Sequence, residues 1–174
     1  MNIKILNNYA KEIESHLDEN DAINTLKSII QIDSRTNTKD ENRIIEYWES
    51  RYSELGFENK LHQTNDKRLN LVSNLEFSDK GKTIIFNGHL DTNHIGSGWT
   101  TDPFGAEIRN NHIYGLGVSN MKASMAAMYT SAKILKKNGF TTWQNNLHIS
   151  FRRTTRWSRN KRVTKKRLKR RFFY

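Results

Sequence analysis

Thr83-Ile84-Ile85-Phe86-Asn87-Gly88-His89-Leu90-Asp91-Thr92 is the stretch on which the fold turns. Thr83 to Phe86 is a short apolar run, rich in β-branched and aromatic residues and closed by Asn87-Gly88, and it predicts a strand. Directly beyond it stand an imidazole and, two residues on, a carboxylate. A strand leading into His89 is the arrangement that aims an imidazole at a metal ion, and it makes the chain legible as enzyme-derived.

Working upstream, Asp21 to Ile30 places Ile23, Leu26, Ile29 and Ile30 on one face behind a cap at Asn20 or Asp21, an amphipathic helix. A helix around Tyr9 to Leu17 precedes it. Asp40 to Leu55 repeats the pattern with Ile44, Tyr47, Trp48 and Leu55 as the buried stripe and Gly56 as the stop. Strands are expected at Asn59 to Gln63 and Leu69 to Leu75. Downstream of His89, a hairpin turns at Asn110-Asn111 between Ala106 and Tyr114. A helix then runs from Ser119 or Asn120 to Lys137, with Met121, Met125, Met128, Ala132 and Leu135 at helical spacing and a stop at Asn138-Gly139. A last strand spans Asn146 to Phe151. This alternation of helix and strand is an α/β layout.

The chain has 174 residues, enough for one domain of ordinary size, and it contains no apolar run near the ~20 residues of a membrane helix. Its start lacks a secretory signal pattern, so a cytoplasmic address is expected. The absence of cysteine excludes disulfides, thiolate ligands and a cysteine nucleophile, leaving His, Asp and Glu to bind any metal. The net charge of +11 is unevenly placed: of 29 basic residues, twelve lie in 152–174, where there is no acid, leaving 17 against 18 acids in residues 1–151. The body is near neutral and only the tail is basic. The compositional break falls at Phe151/Arg152.

Gly88-His89-Leu90-Asp91-Thr92, then Gly98-Trp99 through Asp102-Pro103-Phe104, then Ile113-Tyr114-Gly115-Leu116-Gly117-Val118-Ser119-Asn120-Met121-Lys122, resemble the di-zinc amidohydrolase and exopeptidase family. That family includes acetylornithine deacetylase, succinyl-diaminopimelate desuccinylase, aminoacylase, glutamate carboxypeptidase and dipeptidases. Leu26 to Ser34 is similar to a helical run near the family's N-terminus. The resemblance covers about residues 20 to 151, the first half of the family's catalytic domain. It implies an incomplete zinc-exopeptidase-like domain, a mixed sheet with flanking helices, without the family's lid or dimerisation domain. It also implies hydrolysis of amide bonds in small N-acyl amino acids or peptides by water activated between two zinc ions. The family is often homodimeric; no membrane partner is implied.

The resemblance assigns His89 as a zinc ligand and Asp91 as the supporting acid, a candidate catalytic residue that orients the ligand. The bridging carboxylate of the family falls where this chain has Asn120. An amide offers one neutral oxygen where a carboxylate offers two charged ones, so Asn120 does not bridge two Zn²⁺ equivalently; a helix cap is the reading its chemistry favours. Leu116 stands where an arginine is common between the two glycines, and Ala123-Ser124 where a Gly-rich pair is. After the strand matching Asn146 to Phe151 the family places an acidic pair, one member of which is the general base. Here the chain reads Arg152-Arg153-Thr154-Thr155-Arg156-Trp157. Arg153 to Trp157 written CGG ACG ACG AGA TGG becomes, one base earlier after a G, Ala-Asp-Asp-Glu-Met, which motivates the hypothesis that residues from about 152 are an out-of-frame tail. As this polypeptide the chain is expected to be inactive and marginally stable, with an apolar sheet edge and face exposed.

Other residues carry plainer readings. His94 and His112 match no block and are expected at the surface. Trp99, Pro103 and Phe104 shape and pack their loop, and the methionines of the 120–137 helix are core. Gly115-Leu116-Gly117 lacks the third glycine of a dinucleotide fingerprint. A competing function remains for residues 152–174, a disordered basic tail that binds nucleic acid or acidic surfaces through its Lys and Arg, with Trp157, Phe172, Phe173 and Tyr174 stacking on bases.

Overall fold

The computed structural model describes residues 10–64, 68–76, 82–137 and 146–152. A helical stretch at residues 10–15 precedes α1 (Glu19–Gln31), followed by α2 (Arg43–Glu54), β1 (Glu58–Gln63), β2 (Leu69–Leu75), β3 (Thr83–His89), β4 (Glu107–Arg109), β5 (His112–Tyr114), α3 (Ala123–Lys137) and β6 (Asn146–Arg152). The main sheet has the order β1-β2-β6-β3. β1 with β2 and β2 with β6 are antiparallel, whereas β3 runs parallel to β6 with Gly88 opposite Phe151. The chain is therefore a mixed sheet with flanking helices, as expected. No helix among the described residues is long and apolar enough to cross a membrane.

One face of the sheet carries the core. Leu71 and Leu75 of β2 alternate inward with Leu147, Ile149 and Phe151 of β6, and all five are buried. Against them α2 lays Ile44, Ile45, Trp48 and Tyr52, and α3 lays Met125, Tyr129 and Ala132. Ring centroids of Trp48 lie 5.6 Å from both Tyr129 and Phe151, so large aromatics fill the gap between the layers. Lys133 ties α3 to α1 through Asp21 at 2.7 Å. The opposite face is mostly polar, with Asn74 bonded to His148 and Ile85 as its exposed apolar residue at 41%.

The differences from the sequence expectations are local. α1 starts two residues early because Asp18, not Asn20 or Asp21, adopts the extended capping conformation and its carboxylate accepts the Asp21 N–H at 3.0 Å. α2 begins at Arg43 because residues 40–42 form turns, and its buried stripe runs through Ile45 and Tyr52, with Tyr47 and Leu55 only partly buried. α3 starts at Ala123, since Asn120 and Met121 have non-helical backbones (φ −143°, ψ 87° and φ −137°, ψ 35°) inside the turn Val118–Lys122. The hairpin forms as expected: Asn110 and Asn111 take φ of 51° and 60°, a left-handed pair that asparagine tolerates. The expected stop at Asn138-Gly139 and the tail beyond Arg152 lie outside the described residues.

Candidate active site

His89 is the last residue of β3, so the strand sets its backbone and leaves the ring over the end of the sheet. Gly88 makes this possible. A Cβ there would sit 3.0 Å from Met121 Cε, so the missing side chain lets the turn before α3 close against the strand. His89 Nδ1 donates to the backbone carbonyl of Asp91 at 3.0 Å, and Nε2 lies 2.9 Å from Asn120 Oδ1. In the neutral ring, with Nδ1–H committed to a carbonyl, Nε2 carries the lone pair. The Asn120 amide meets it with its NH₂ once turned end for end, which moves no heavy-atom position. Nε2 is thus the nitrogen offered to the pocket.

Asp91 is 2% exposed and its carboxylate is held by neighbouring side chains. Oδ2 accepts from Thr36 Oγ1 at 3.2 Å and from Arg68 Nη2 at 3.2 Å, and Oδ1 stands 3.7 Å from His89 Nδ1. Arg68 in turn holds Glu41 Oε1 through Nε at 2.9 Å and Nη2 at 2.8 Å. The segment Ser34–Thr36 is laced to Thr92: Thr92 N–H donates to Ser34 O and Thr36 N–H to Thr92 O, each at 3.0 Å. His89 Nδ1–H thus donates to the backbone carbonyl of Asp91, while the carboxylate expected to orient the ring stands beside it as a second neighbour.

The other wall is the turn after β5. Gly117 has φ +82°, and a Cβ on it would lie 2.4 Å from Thr92 Cγ2; a Cβ on Gly115 would lie 2.4 Å from Ile30 Cγ2. Both glycines are places where backbone must touch a neighbour's methyl. Leu116 N–H donates to Pro103 O at 2.7 Å, and Arg35 stacks 5.6 Å over Phe104, so the 102–105 loop packs and shapes the wall as expected. Asn120 does not act as a helix cap: its side chain goes to His89. Lys122 is fully buried, and its ammonium donates to Ile32 O at 3.1 Å and Ile30 O at 3.5 Å at the C-terminal end of α1. Burial pushes its pKa down to about 8, against the opposing pull of Asp33. Asp33 is itself held below the usual carboxylate range by its hydrogen bond from Arg35.

These walls enclose a cavity of about 240 Å³ lined by His89, Asp91, Thr92, Gly117 and Asn120 among others. The structure brings all three sequence-derived site residues together, although His89 and Asn120 are 31 positions apart. His94 and His112 lie exposed at the surface, as expected. Thr36, Glu41, Arg68 and Lys122 were given no role from the sequence. The signal for Lys122 was its place at the end of a motif; Glu41 and Arg68 lie in none of the motif blocks.

As a metal site the described residues fall short. His89 and the neutral amide of Asn120 line the cavity, and the Asp91 carboxylate is engaged by Thr36 and Arg68. Among the described residues no group of three or more His, Cys, Asp or Glu side chains could hold an ion. A catalytic zinc commonly takes three protein ligands. The donor set present does not fit one zinc, and still less two.

Residues 85–152 match the family model described as Peptidase family M20/M25/M40. The succinyl-diaminopimelate desuccinylase of Buchnera aphidicola subsp. Acyrthosiphon pisum is 38% identical over 81 residues, 45% of this chain and 20% of that protein. A probable succinyl-diaminopimelate desuccinylase of Staphylococcus epidermidis is 29% identical over 124 residues, 70% of this chain and 30% of that protein. Among solved structures, the M20 family metallo-carboxypeptidase Sso-CP2 from Sulfolobus solfataricus superimposes with a TM-score of 0.67 at 22% identity, covering 78% of this chain and 30% of that one. The chain resembles this peptidase family in sequence and fold, and it spans between a fifth and a third of the length of these relatives.

Proposed function

We propose that the chain is the N-terminal part of a zinc-dependent hydrolase that cleaves amide bonds of small N-acyl amino acids or peptides in the cytoplasm. In this reading His89 is a metal ligand, Asp91 its supporting acid, and Asn120 occupies the bridging position. In the same reading residues 1–151 are the domain portion and 152–174 the basic tail, with Arg152 itself ending β6 opposite His89. One observation carries the reading: His89 Nε2 is presented at the end of a parallel strand, facing the residue on the Gly-X-Gly turn where the family's bridging ligand falls. The similarity to desuccinylases adds N-succinyl amino acids to the substrates worth testing.

As this polypeptide the chain is catalytically silent, because two neutral donors leave a metal under-coordinated and Asn120 supplies no charge. The test is an assay of purified 174-residue chain with added zinc on N-acetyl and N-succinyl amino acids. Zinc-dependent turnover abolished by His89→Ala would overturn the silent state. The frame hypothesis is tested separately by the nucleotide sequence across the codons for His148 to Tyr174. A neighbouring frame encoding an acidic pair and a Gly-rich turn supports it; a neighbouring frame closed by stop codons sinks it.

A further inference from the structure

Beside the His89 ring, four chain segments converge on a buried polar cluster of which only Asp91 belongs to the sequence motifs. Arg68 enters from the start of β2, Glu41 from the turns before α2, Thr36 from the loop after α1, and Asp91 from the exit of β3. Relative exposures of the Arg68, Glu41 and Asp91 side chains are 10%, 7% and 1%. A buried ion pair is an ineffective way to stabilise a fold, since desolvation of both charges offsets most of their attraction. What such a pair supplies is geometry. The guanidinium is a rigid planar fork, and here it spans two carboxylates, gripping Glu41 Oε1 with two donors and Asp91 Oδ2 with one. Glu41 is fixed from its far side by the Asn37 N–H at 3.0 Å.

We infer that Arg68, anchored by Glu41, is a positioning residue for His89 and acts through Asp91. Arg68 and Thr36 together hold one oxygen of the Asp91 carboxylate, which sets the rotation of that side chain and the path of its backbone. The Asp91 carbonyl, so placed, accepts the hydrogen bond from His89 Nδ1–H and turns Nε2 toward the cavity. The inference rests on the proposed reading only for the purpose of that orientation, and the experiment reads the ring without metal or substrate.

The readout is the rate at which diethylpyrocarbonate modifies each histidine of the 174-residue chain, resolved by mass spectrometry, with exposed His16, His94 and His112 as internal references. His89 is engaged at both ring nitrogens and reacts slowly. Arg68→Met removes the fork at similar bulk and raises the His89 rate relative to the references by about tenfold, the weight of one charge-assisted hydrogen bond in a local equilibrium. Arg68→Lys keeps the charge but reaches only one carboxylate, so its ratio falls between the two and carries the test if the methionine variant does not fold. In an Asp91→Asn background, Arg68→Met adds nothing further. An unchanged ratio overturns the inference, as does a parallel rise at all four histidines, which assigns Arg68 to general stability. A persistent Arg68 effect in the Asp91→Asn chain overturns it too. Failure of the hydrolase reading would leave these ratios as they are.

Discussion

Nε2 of His89 and Oδ1 of Asn120 are 2.9 Å apart, closing the end of β3 against the turn that leads into α3. That contact joins the nitrogen available for a metal to a side chain that brings no charge. Asn120→Asp would place a carboxylate at the same distance with little change of shape. Zinc affinity measured by isothermal titration is expected to rise by about tenfold or more, on the order of one charge-assisted contact, and the gain is expected to vanish in the His89→Ala, Asn120→Asp double variant. Equal zinc affinity with and without the carboxylate would show that the pair does not form the start of a metal site.

The wall of the cavity depends on two absent side chains. Gly115→Ala drives a methyl to 2.4 Å from Ile30 Cγ2, and Gly117→Ala drives one to 2.4 Å from Thr92 Cγ2 on a backbone with φ +82°. Overpacking of this kind costs about 1–3 kcal/mol, and the left-handed backbone adds roughly 1 kcal/mol more at Gly117. Urea midpoints are expected to fall in both variants and further in Gly117→Ala. A midpoint unchanged in either would mean that the turn lies looser against α1 and Thr92 than described.

Much of this arrangement was legible in the sequence because it is local. The apolar run ending at Asn87-Gly88 fixed a strand on which His89 had to sit at the end, and the pair Asn110-Asn111 could hardly be anything but a tight hairpin turn. The α1 cap was misplaced because Asp18, Asn20 and Asp21 all have capping chemistry, and only the backbone chooses among them. Asn120 read as a cap for the same reason; its partner is 31 residues away, beyond the reach of any local rule. Arg68 and Glu41 were invisible because burial of a charge is a property of the packed chain, and nothing in Lys67-Arg68-Leu69 or Asp40-Glu41-Asn42 separates them from solvated neighbours.

Tyr52 is fully buried on the inner face of α2, and its hydroxyl finds no hydrogen-bond partner among the described residues. A buried donor left unmade costs about 1–3 kcal/mol. Tyr52→Phe keeps the ring stacked beside Trp48, at 5.8 Å between centroids, and removes only the orphaned group. Stability from urea unfolding is therefore expected to rise by about 1 kcal/mol. A loss of similar size would show that the hydroxyl has a partner, such as a buried water.

The same burial makes the fold sensitive to alkali. Desolvation raises the pKa of Tyr52 far above the usual phenol range, and it also raises those of Tyr47 and Tyr129. In the unfolded chain these phenols lose their protons near pH 10. In the fold they keep them, so above pH 10 the native state binds more protons than the unfolded one and stability must fall as pH rises. Below pH 10 both states are protonated and these groups contribute no slope. Absorbance at 295 nm is expected to show part of the tyrosine signal titrating normally and the rest appearing only with cooperative unfolding. Tyr52→Phe should shift that unfolding to higher pH, because it removes the phenol whose ionisation the core resists most. If all the phenolate signal appeared in one smooth step near pH 10 with circular dichroism unchanged, the burial of Tyr47, Tyr52 and Tyr129 would have to be revised.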